Sequence, residues 1–167
     1  MHKIGDKIVY GASGVMTIVD IREESIGDVS RKYYVLNSAV RRSDSLTYVP
    51  ADNETLVSAM RPLLTEGEIV ETLKNSKNAP PIDWIPENRA RTESFKRIME
   101  SGDREKMLSM IRAIDENGAR RLAEGKKNFL SDENAKQKAE KLLFSEFSIV
   151  LGIPEEDVPA FVEEKTK

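Results

Sequence analysis

The single tryptophan of the chain, Trp84, has the setting that most suggests contact with a nucleic acid. It lies between the Pro80-Pro81 pair and Pro86, and prolines restrict the backbone on both sides, so the indole sits on a stiff segment. A ring held in this way can stack on a base, worth ~1–3 kcal/mol, or wedge into a disrupted base step. The alternative is that Trp84 packs between domains or caps a helix. The residues alone leave both interpretations open.

Basic side chains that could contact phosphates follow Trp84 directly. They are Arg89, Arg91, Lys96 and Arg97. Arg89 and Lys96 are seven residues apart and would share one face of a helix. Residues 89–127 carry 11 basic and 7 acidic side chains, although the whole chain has 26 basic and 29 acidic residues and a net charge of −3. This block is the one part of the chain with an excess of positive charge. It also fits a solvated helix face with mixed ion pairs.

Residues suited to catalysis or to metal binding are scarce. The chain has no Cys and one His, His2, which excludes a thiolate nucleophile, a His-based triad and a zinc-finger ligand set. The Gly11–Gly14 segment lacks the Lys-Ser/Thr of a phosphate loop and leads into a strand, so it predicts a β-turn. We therefore expect no enzyme, no cofactor and no bound metal. No apolar run is long enough to span a membrane and the first residues lack a signal-peptide core, so we expect a cytoplasmic protein.

The first sixty residues predict a small β module. Runs rich in β-branched and aromatic residues alternate with turns, as is typical of strands. The predicted strands cover residues 7–10, 15–21, 32–37 and 45–50. Residues 22–31, around Gly27-Asp28, predict a polar turn region. Strands of this length and spacing favour a strongly bent sheet or open barrel.

The rest of the chain predicts helices. Thr65 and Glu68 have the spacing of a capping box and open a short helix, and residues 75–81 predict a linker. A helix over residues 87–100 ends at Ser101-Gly102, Asp103 caps the next helix, and Ser131-Asp132 caps a long one that Gly152 ends. Glu155-Glu156-Asp157 places acids at the start of a last short helix. The fold class is therefore α+β, with a β module at residues 1–60, a short helix and linker at 61–81, and a helical domain at 82–167.

Several short motifs, in order along nearly the whole chain, resemble the CarD/CdnL family. Those of the N-terminal half are His2 to Tyr10, Gly14-Val15, Tyr34-Val35-Leu36 and Val49-Pro50-Ala51. Those of the helical half are Trp84, the Arg89/Arg91 region, Ser101-Gly102-Asp103 and residues 139–147. The N-terminal module of this family is shared with the transcription-repair coupling factor.

The resemblance implies a bacterial transcription regulator without enzymatic activity. Its Tudor-like N-terminal module is expected to bind the β subunit of RNA polymerase. The helical domain is expected to contact promoter DNA, largely independently of sequence, at the upstream fork of the melted bubble, where it would stabilise the open complex. Trp84 matches the family's wedge residue, and Arg89 and Arg91 match basic residues near the DNA backbone.

The resemblance also implies which residues bind polymerase: Tyr34, Thr47, Tyr48, Val49 and Pro50. Tyr48 stands where some relatives carry an Arg, and Glu24 is acidic in a region that is often basic. Binding is therefore expected through a sheet edge and apolar contacts more than through charge. We expect a monomer, with a dimer that exchanges β elements as an alternative. The competing hypothesis for function is a protein–protein adaptor with a Tudor/SH3-like module and no direct DNA role.

Overall fold

The computed structural model describes residues 2–167, which form two compact units. The first unit ends at Leu63 and the second begins at Leu64. The first consists of a sheet and one short helix, and the second is all helical, as the α+β prediction requires. The division falls a few residues after the expected end of the β module at residue 60.

A five-stranded antiparallel sheet builds the first unit, with the spatial order β4-β3-β2-β1-β5. Its strands are β1 (Lys7–Tyr10), β2 (Val15–Ile26), β3 (Val29–Ser38), β4 (Thr47–Pro50) and β5 (Met60–Pro62), with helix α1 (Glu54–Ser58) before β5. The prediction lacked β5 and α1. Strand β4 is one edge of the sheet, and β5 is the other. One face packs a small core of Ile8, Met16, Ile18, Leu36, Val49 and Met60.

The long β2–β3 hairpin corrects the prediction of a polar turn over residues 22–31. Only Gly27 and Asp28 lie between the two strands, and Gly27 has φ 63°, a value that glycine adopts without strain. The polar residues of this segment pair across the ladder, with Glu23 opposite Lys32 and Glu24 opposite Arg31. The backbone ladder therefore extends the strands beyond their apolar part, and Arg31 makes its own ion pair with Asp52 at 3.0 Å.

Five helices build the second unit. They are α2 (Glu66–Lys77), α3 (Asn88–Ser101), α4 (Arg104–Ala123), α5 (Leu130–Leu151) and α6 (Val158–Lys165). Residues of all five form one buried core, which includes Leu73, Phe95, Ile114, Leu143 and Val158. No helix within residues 2–167 is long and apolar enough to cross a membrane.

The ends of these helices follow local sequence signals. Thr65 and Glu68 form the predicted capping box, and the Asp103 side chain accepts a hydrogen bond from the Lys106 N–H at 3.0 Å. Gly102 and Gly152 end α3 and α5 in the left-handed conformation.

The predicted cap at Ser131-Asp132 is wrong. Helix α5 begins one residue earlier, at Leu130, and Phe129 precedes it without a capping side chain. Asp132 lies inside the first turn and is fully buried, because its carboxylate has a partner elsewhere in the unit. The acidic segment Glu155–Asp157 forms a 3₁₀ turn, so α6 begins after it.

Candidate nucleic-acid interface

Trp84 lies in the segment between α2 and α3 and is half-buried. Its ring packs against the core of the helical unit and meets the Phe95 ring edge-on, with 6.1 Å between centroids. The remaining part of the ring lines an open cavity beside α4. The indole is therefore anchored on the core and is still partly accessible.

The side chain of Arg91 fixes this segment from the first turn of α3. Its Nη1 donates to the carbonyl oxygens of Ile85 at 2.9 Å and Pro86 at 3.2 Å, the two residues that follow Trp84. Its Nη2 donates to the side chain of Asn88. The guanidinium carbon also lies 4.7 Å from the centroid of the Trp84 ring, within the range of a cation–π contact. Arg91 thus holds both the backbone and the ring of the tryptophan segment.

A buried ion pair anchors Arg91 in turn. Its Nε lies 2.9 Å from Oδ1 of Asp132 on α5, and the two side chains are 1% and 0% exposed. Oδ2 of Asp132 has no hydrogen-bond partner in the described part of the chain. Both charged side chains are buried away from water. Removing one of them would therefore leave the other buried without a compensating charge.

This burial corrects the prediction that Arg91 contacts DNA. A guanidinium that is 1% exposed and bonded to Asp132, Ile85, Pro86 and Asn88 cannot reach a phosphate. The periodicity of α3 carries the signal that was missed. Arg91, Phe95 and Met99 recur every four residues and all three face the interior.

Phe129 and Arg121 extend the contacts of Arg91 toward the end of α4. The Arg91 guanidinium lies 5.1 Å from the Phe129 ring centroid, and the Arg121 guanidinium lies 4.0 Å from the same centroid. Nε of Arg121 donates to the carbonyl oxygen of Lys127 at 2.9 Å. Two rings and two guanidinium groups therefore link the tryptophan segment to the turn between α4 and α5.

The other three predicted cations, Arg89, Lys96 and Arg97, are exposed on α3. None of them forms an ion pair within residues 2–167, so their charges are free to meet an anion. Arg89 and Lys96 share a face, as the spacing predicts, and that face lies away from the buried Arg91, Phe95 and Met99. Arg89 is the nearest of the three to Trp84 along the chain.

Two further exposed cations were not singled out from the sequence. Lys126 and Lys127 lie in the turn between α4 and α5, next to Phe129. Lys126 makes an exposed ion pair with Glu124 at 3.6 Å, and such pairs contribute little. The excess of positive charge over residues 89–127 included both lysines. The contact of the neighbouring Phe129 with Arg91 joins distant parts of the chain, which the sequence does not show.

The residues implied for polymerase binding lie on and beside the edge strand β4. Tyr48 is 43% exposed, whereas Thr47, Pro50 and Tyr34 on β3 are half-buried. Val49 is 0% exposed and belongs to the core of the sheet. Its side chain is therefore not available to a partner, because residues alternate between the two faces of a strand.

Arg22 adds a positive charge beside Tyr48. Its Nη1 donates to the Tyr48 hydroxyl at 3.2 Å, and its guanidinium lies 5.8 Å from the ring centroid. A hydrogen bond to the Asp20 carboxylate, followed by the Tyr48 contact, raises the pKa of Arg22 above its usual value. Tyr33 meets Tyr48 edge-on at 6.3 Å. Arg22, Tyr33 and Tyr48 therefore form one patch, in which Arg22 also pairs with Asp20 at 3.1 Å.

Comparison with known proteins bears on the first unit. Residues 2–64 match the family model described as the CarD-like/TRCF RID domain. No curated protein matches the chain. Residues 2–167 contain no group of His, Cys, Asp or Glu side chains that could hold a metal ion. The match covers the whole sheet and ends where the helical unit begins.

Proposed function

We propose that this chain, whose residues 2–64 are a CarD-like/TRCF RID domain, is a regulator that stabilises the open promoter complex of RNA polymerase. That domain indicates an interaction with RNA polymerase and a role linked to transcription, and it supports a place for the chain in the CarD-like family. The finer proposal is that the sheet binds the β subunit and that the helical unit contacts DNA at the upstream fork of the bubble. The protein acts by binding and not by catalysis.

The accessible and firmly held ring of Trp84 carries this proposal. A wedge is effective only if it keeps its position when a base step presses on it. Here Arg91 donates to the carbonyls of Ile85 and Pro86 and lies over the indole, and Asp132 holds Arg91 from another helix. A ring ordered before it meets DNA loses little conformational freedom on binding, so more of the stacking energy appears as affinity.

The surrounding charge supports contact with a DNA structure more than with a sequence. Arg89, Lys96 and Arg97 are exposed on α3, and backbone phosphates are the partners that such cations position without reading bases. A wedge that prefers the open fork shifts the melting equilibrium by its differential affinity alone. A preference of ~1–2 kcal/mol changes the open population by roughly five- to thirtyfold where melting is balanced.

Attachment to polymerase compensates for the weak affinity that an acidic chain has for DNA. With a net charge of −3 the free protein is expected to bind DNA weakly and in a salt-dependent way. Binding through the sheet raises the local concentration of the helical unit at the promoter, so a weak contact with DNA suffices. In this proposal the sheet recruits the protein to polymerase, and the helical unit contacts the DNA.

Replacing Trp84 with Ala tests the proposal. We expect the lifetime of the open complex to fall severalfold toward its value without the protein, while a pull-down with the polymerase β subunit stays unchanged. Phe161→Ala is the matched control, since Phe161 is another half-buried aromatic packed on the same core. If Trp84→Ala and Phe161→Ala shorten the lifetime equally, Trp84 has only a structural role and the proposal fails.

A second candidate function is that of a protein–protein adaptor. The exposed Tyr48 on the edge strand β4, with Arg22 beside it, is the observation that favours this candidate. A partner strand can add to such an edge and bury Tyr48. The adaptor hypothesis predicts that charge reversal at Arg89, Lys96 and Arg97 leaves function and promoter footprints unchanged. The regulator hypothesis predicts loss of the footprint at the upstream edge of the bubble.

A further inference from the structure

The turn between α4 and α5 is held in place by contacts with the end of α4. The carbonyl oxygen of Arg121 accepts from the Lys126 N–H at 2.8 Å, and Nε of Arg121 donates to the carbonyl oxygen of Lys127 at 2.9 Å. Asn128 packs against α4 at Gly118, where an added Cβ would lie 3.0 Å from Nδ2 of Asn128. The turn is therefore ordered before it meets a partner, so it loses little conformational freedom on binding.

Positive charge is concentrated on this turn. Residues 120–127 carry four basic side chains and one acidic side chain. Lys126 and Lys127 are exposed, and the one ion pair that either makes in the described part of the chain joins Lys126 to Glu124 at 3.6 Å. Both partners of that pair are more than half exposed, so it contributes little and leaves the lysine free to bind another anion. Two adjacent lysines on an ordered turn suit the closely spaced phosphates of a DNA duplex.

One side chain, Arg91, connects Trp84 to the aromatic ring beside this turn. The Arg91 guanidinium lies 4.7 Å from the Trp84 ring centroid and 5.1 Å from the Phe129 ring centroid. The Arg121 guanidinium lies 4.0 Å from the same Phe129 centroid, so this ring contacts both cations. Because Arg121 also binds the Lys127 carbonyl, the contacts run without a gap from the turn to the tryptophan. A shift of the turn therefore has a contiguous path to the indole.

We propose that this turn is a second contact for the DNA backbone and that Phe129 couples the contact to the position of Trp84. Phosphates bound by Lys126 and Lys127 hold the turn and keep Phe129 against Arg91. Phe129 is then a positioning residue, since it acts on DNA only through Arg91 and Trp84. The inference rests on the proposed function, because it takes the helical unit to lie on promoter DNA. By linkage, the contact at the turn and the contact of Trp84 strengthen each other by the same factor.

Lys126→Gln/Lys127→Gln tests the contact with DNA. In complexes of the full chain with polymerase and promoter, we expect this variant to reduce the slope of log affinity against log salt by up to about 2 units. The lifetime of the open complex should also fall severalfold. Lys138→Gln/Lys141→Gln, at exposed positions on α5, removes the same charge and is expected to change neither quantity. An unchanged slope in the variant of the turn would overturn the proposed contact.

Phe129→Leu tests the positioning role, and Phe129→Tyr is its rescue. Leucine keeps an apolar side chain but lacks the ring face that both guanidinium groups contact, whereas tyrosine retains that face. In the free chain, whose one tryptophan is the reporter, we expect Phe129→Leu to red-shift the emission of Trp84 and to make it more easily quenched. Phe129→Tyr should keep the wild-type spectrum. Phe147→Leu, at a fully buried position on α5, is the control that should lose stability without a change in the spectrum. A wild-type spectrum for Phe129→Leu would show that Phe129 does not position Trp84.

The two sets of variants together test the coupling. We expect the lysine variant to shorten the open-complex lifetime about threefold more in the wild-type background than in Phe129→Leu, an effect of the size of one cation–π contact. The reduction in the salt slope should be the same in both backgrounds, because the lysines themselves still meet the phosphates. Equal losses of lifetime in the two backgrounds would make the effects additive and would overturn the coupling.

Failure of this inference is distinguishable from failure of the proposed function. If Trp84→Ala shortens the lifetime of the open complex and the lysine variant leaves the salt slope unchanged, only the inference about the turn fails. If Trp84→Ala has no effect, the proposed function fails, while the spectra of the Phe129 variants still report the positioning of the ring. Circular dichroism shows whether each variant is folded. Arg121→Met, which removes one cation from the Phe129 ring, gives the same spectral test if Phe129→Leu does not fold.

Discussion

The guanidinium of Arg91 lies 4.7 Å from the centre of the Trp84 ring. The same side chain donates to the carbonyls of Ile85 and Pro86 and pairs with Asp132 at 2.9 Å. One residue of α3 therefore connects the tryptophan segment to α5. A charge expected at the DNA surface is instead the internal support of the ring that is proposed to meet DNA.

Arg91→Met is expected to destabilise the helical unit by about 3–5 kcal/mol, because Asp132 would remain buried without its partner. Urea unfolding followed by circular dichroism measures the change. The double variant Arg91→Met/Asp132→Leu removes both charges and should recover much of the loss. If the double variant is as unstable as the single one, the cost does not come from the stranded carboxylate.

Arg91→Lys tests the positioning of Trp84 apart from stability. Lysine keeps the charge but cannot donate to Asp132, Ile85 and Pro86 at once, because it lacks the planar fork of a guanidinium. We expect red-shifted and more easily quenched Trp84 fluorescence, together with a shorter-lived open complex. Arg104→Lys is the control, since Arg104 pairs with the buried Glu146 at 2.7 Å in the same unit. That variant should lose stability without changing Trp84 fluorescence.

Neutralising Arg89, Lys96 and Arg97 to Gln should weaken the DNA contact at all sequences alike. Each phosphate contact contributes about −0.9 to the slope of log affinity against log salt. The triple variant should therefore reduce the slope by up to about 3 units, measured with promoter DNA and polymerase over a range of salt. Lys138→Gln/Lys141→Gln, at exposed positions on α5, is the matched control. An unchanged slope in the triple variant would remove α3 from the DNA interface.

Tyr48→Ala and Arg22→Ala are expected to weaken binding to the polymerase β subunit, with dissociation constants raised about tenfold each. The reason is that Tyr48 is exposed on the edge strand and Arg22 both orients its ring and supplies a charge. Arg residues and aromatic residues are the commonest sources of binding energy at protein interfaces. Ile4→Ala removes an exposed apolar side chain that precedes β1 and serves as control. Tight binding by both variants would place the polymerase interface elsewhere on the sheet.

Local sequence signals predicted the parts of the fold that depend on neighbouring residues. The capping box of Thr65 and Glu68, the cap at Asp103 and the end of α3 at Gly102 were all confirmed. Each is decided within four residues of chain, so the sequence contains all the information needed. The CarD-like assignment is confirmed for residues 2–64.

The parts that were missed depend on residues far apart in sequence. Arg91 and Asp132 are 41 positions apart, and each was interpreted from its own neighbourhood, as a surface cation and as a helix cap. Residues 22–31 are polar, but cross-strand pairing makes them strand, and β5 requires its partner β1. For the candidate site, the sequence pointed to Trp84 and to three exposed cations. The support of Trp84 by Arg91 and Asp132 could not be predicted, because these residues meet only in the folded protein.

Photo-cross-linking from position 83 shows whether the Trp84 segment lies at the upstream fork of the bubble. Asp83 is exposed and precedes Trp84, so a photoreactive residue placed there leaves the indole and Arg91 intact. Cross-links are mapped in complexes of the full chain with polymerase and promoter, before and after melting. We expect cross-links to DNA at the upstream edge of the bubble, and only in the open complex. Bound polymerase with cross-links to protein alone would contradict this expectation.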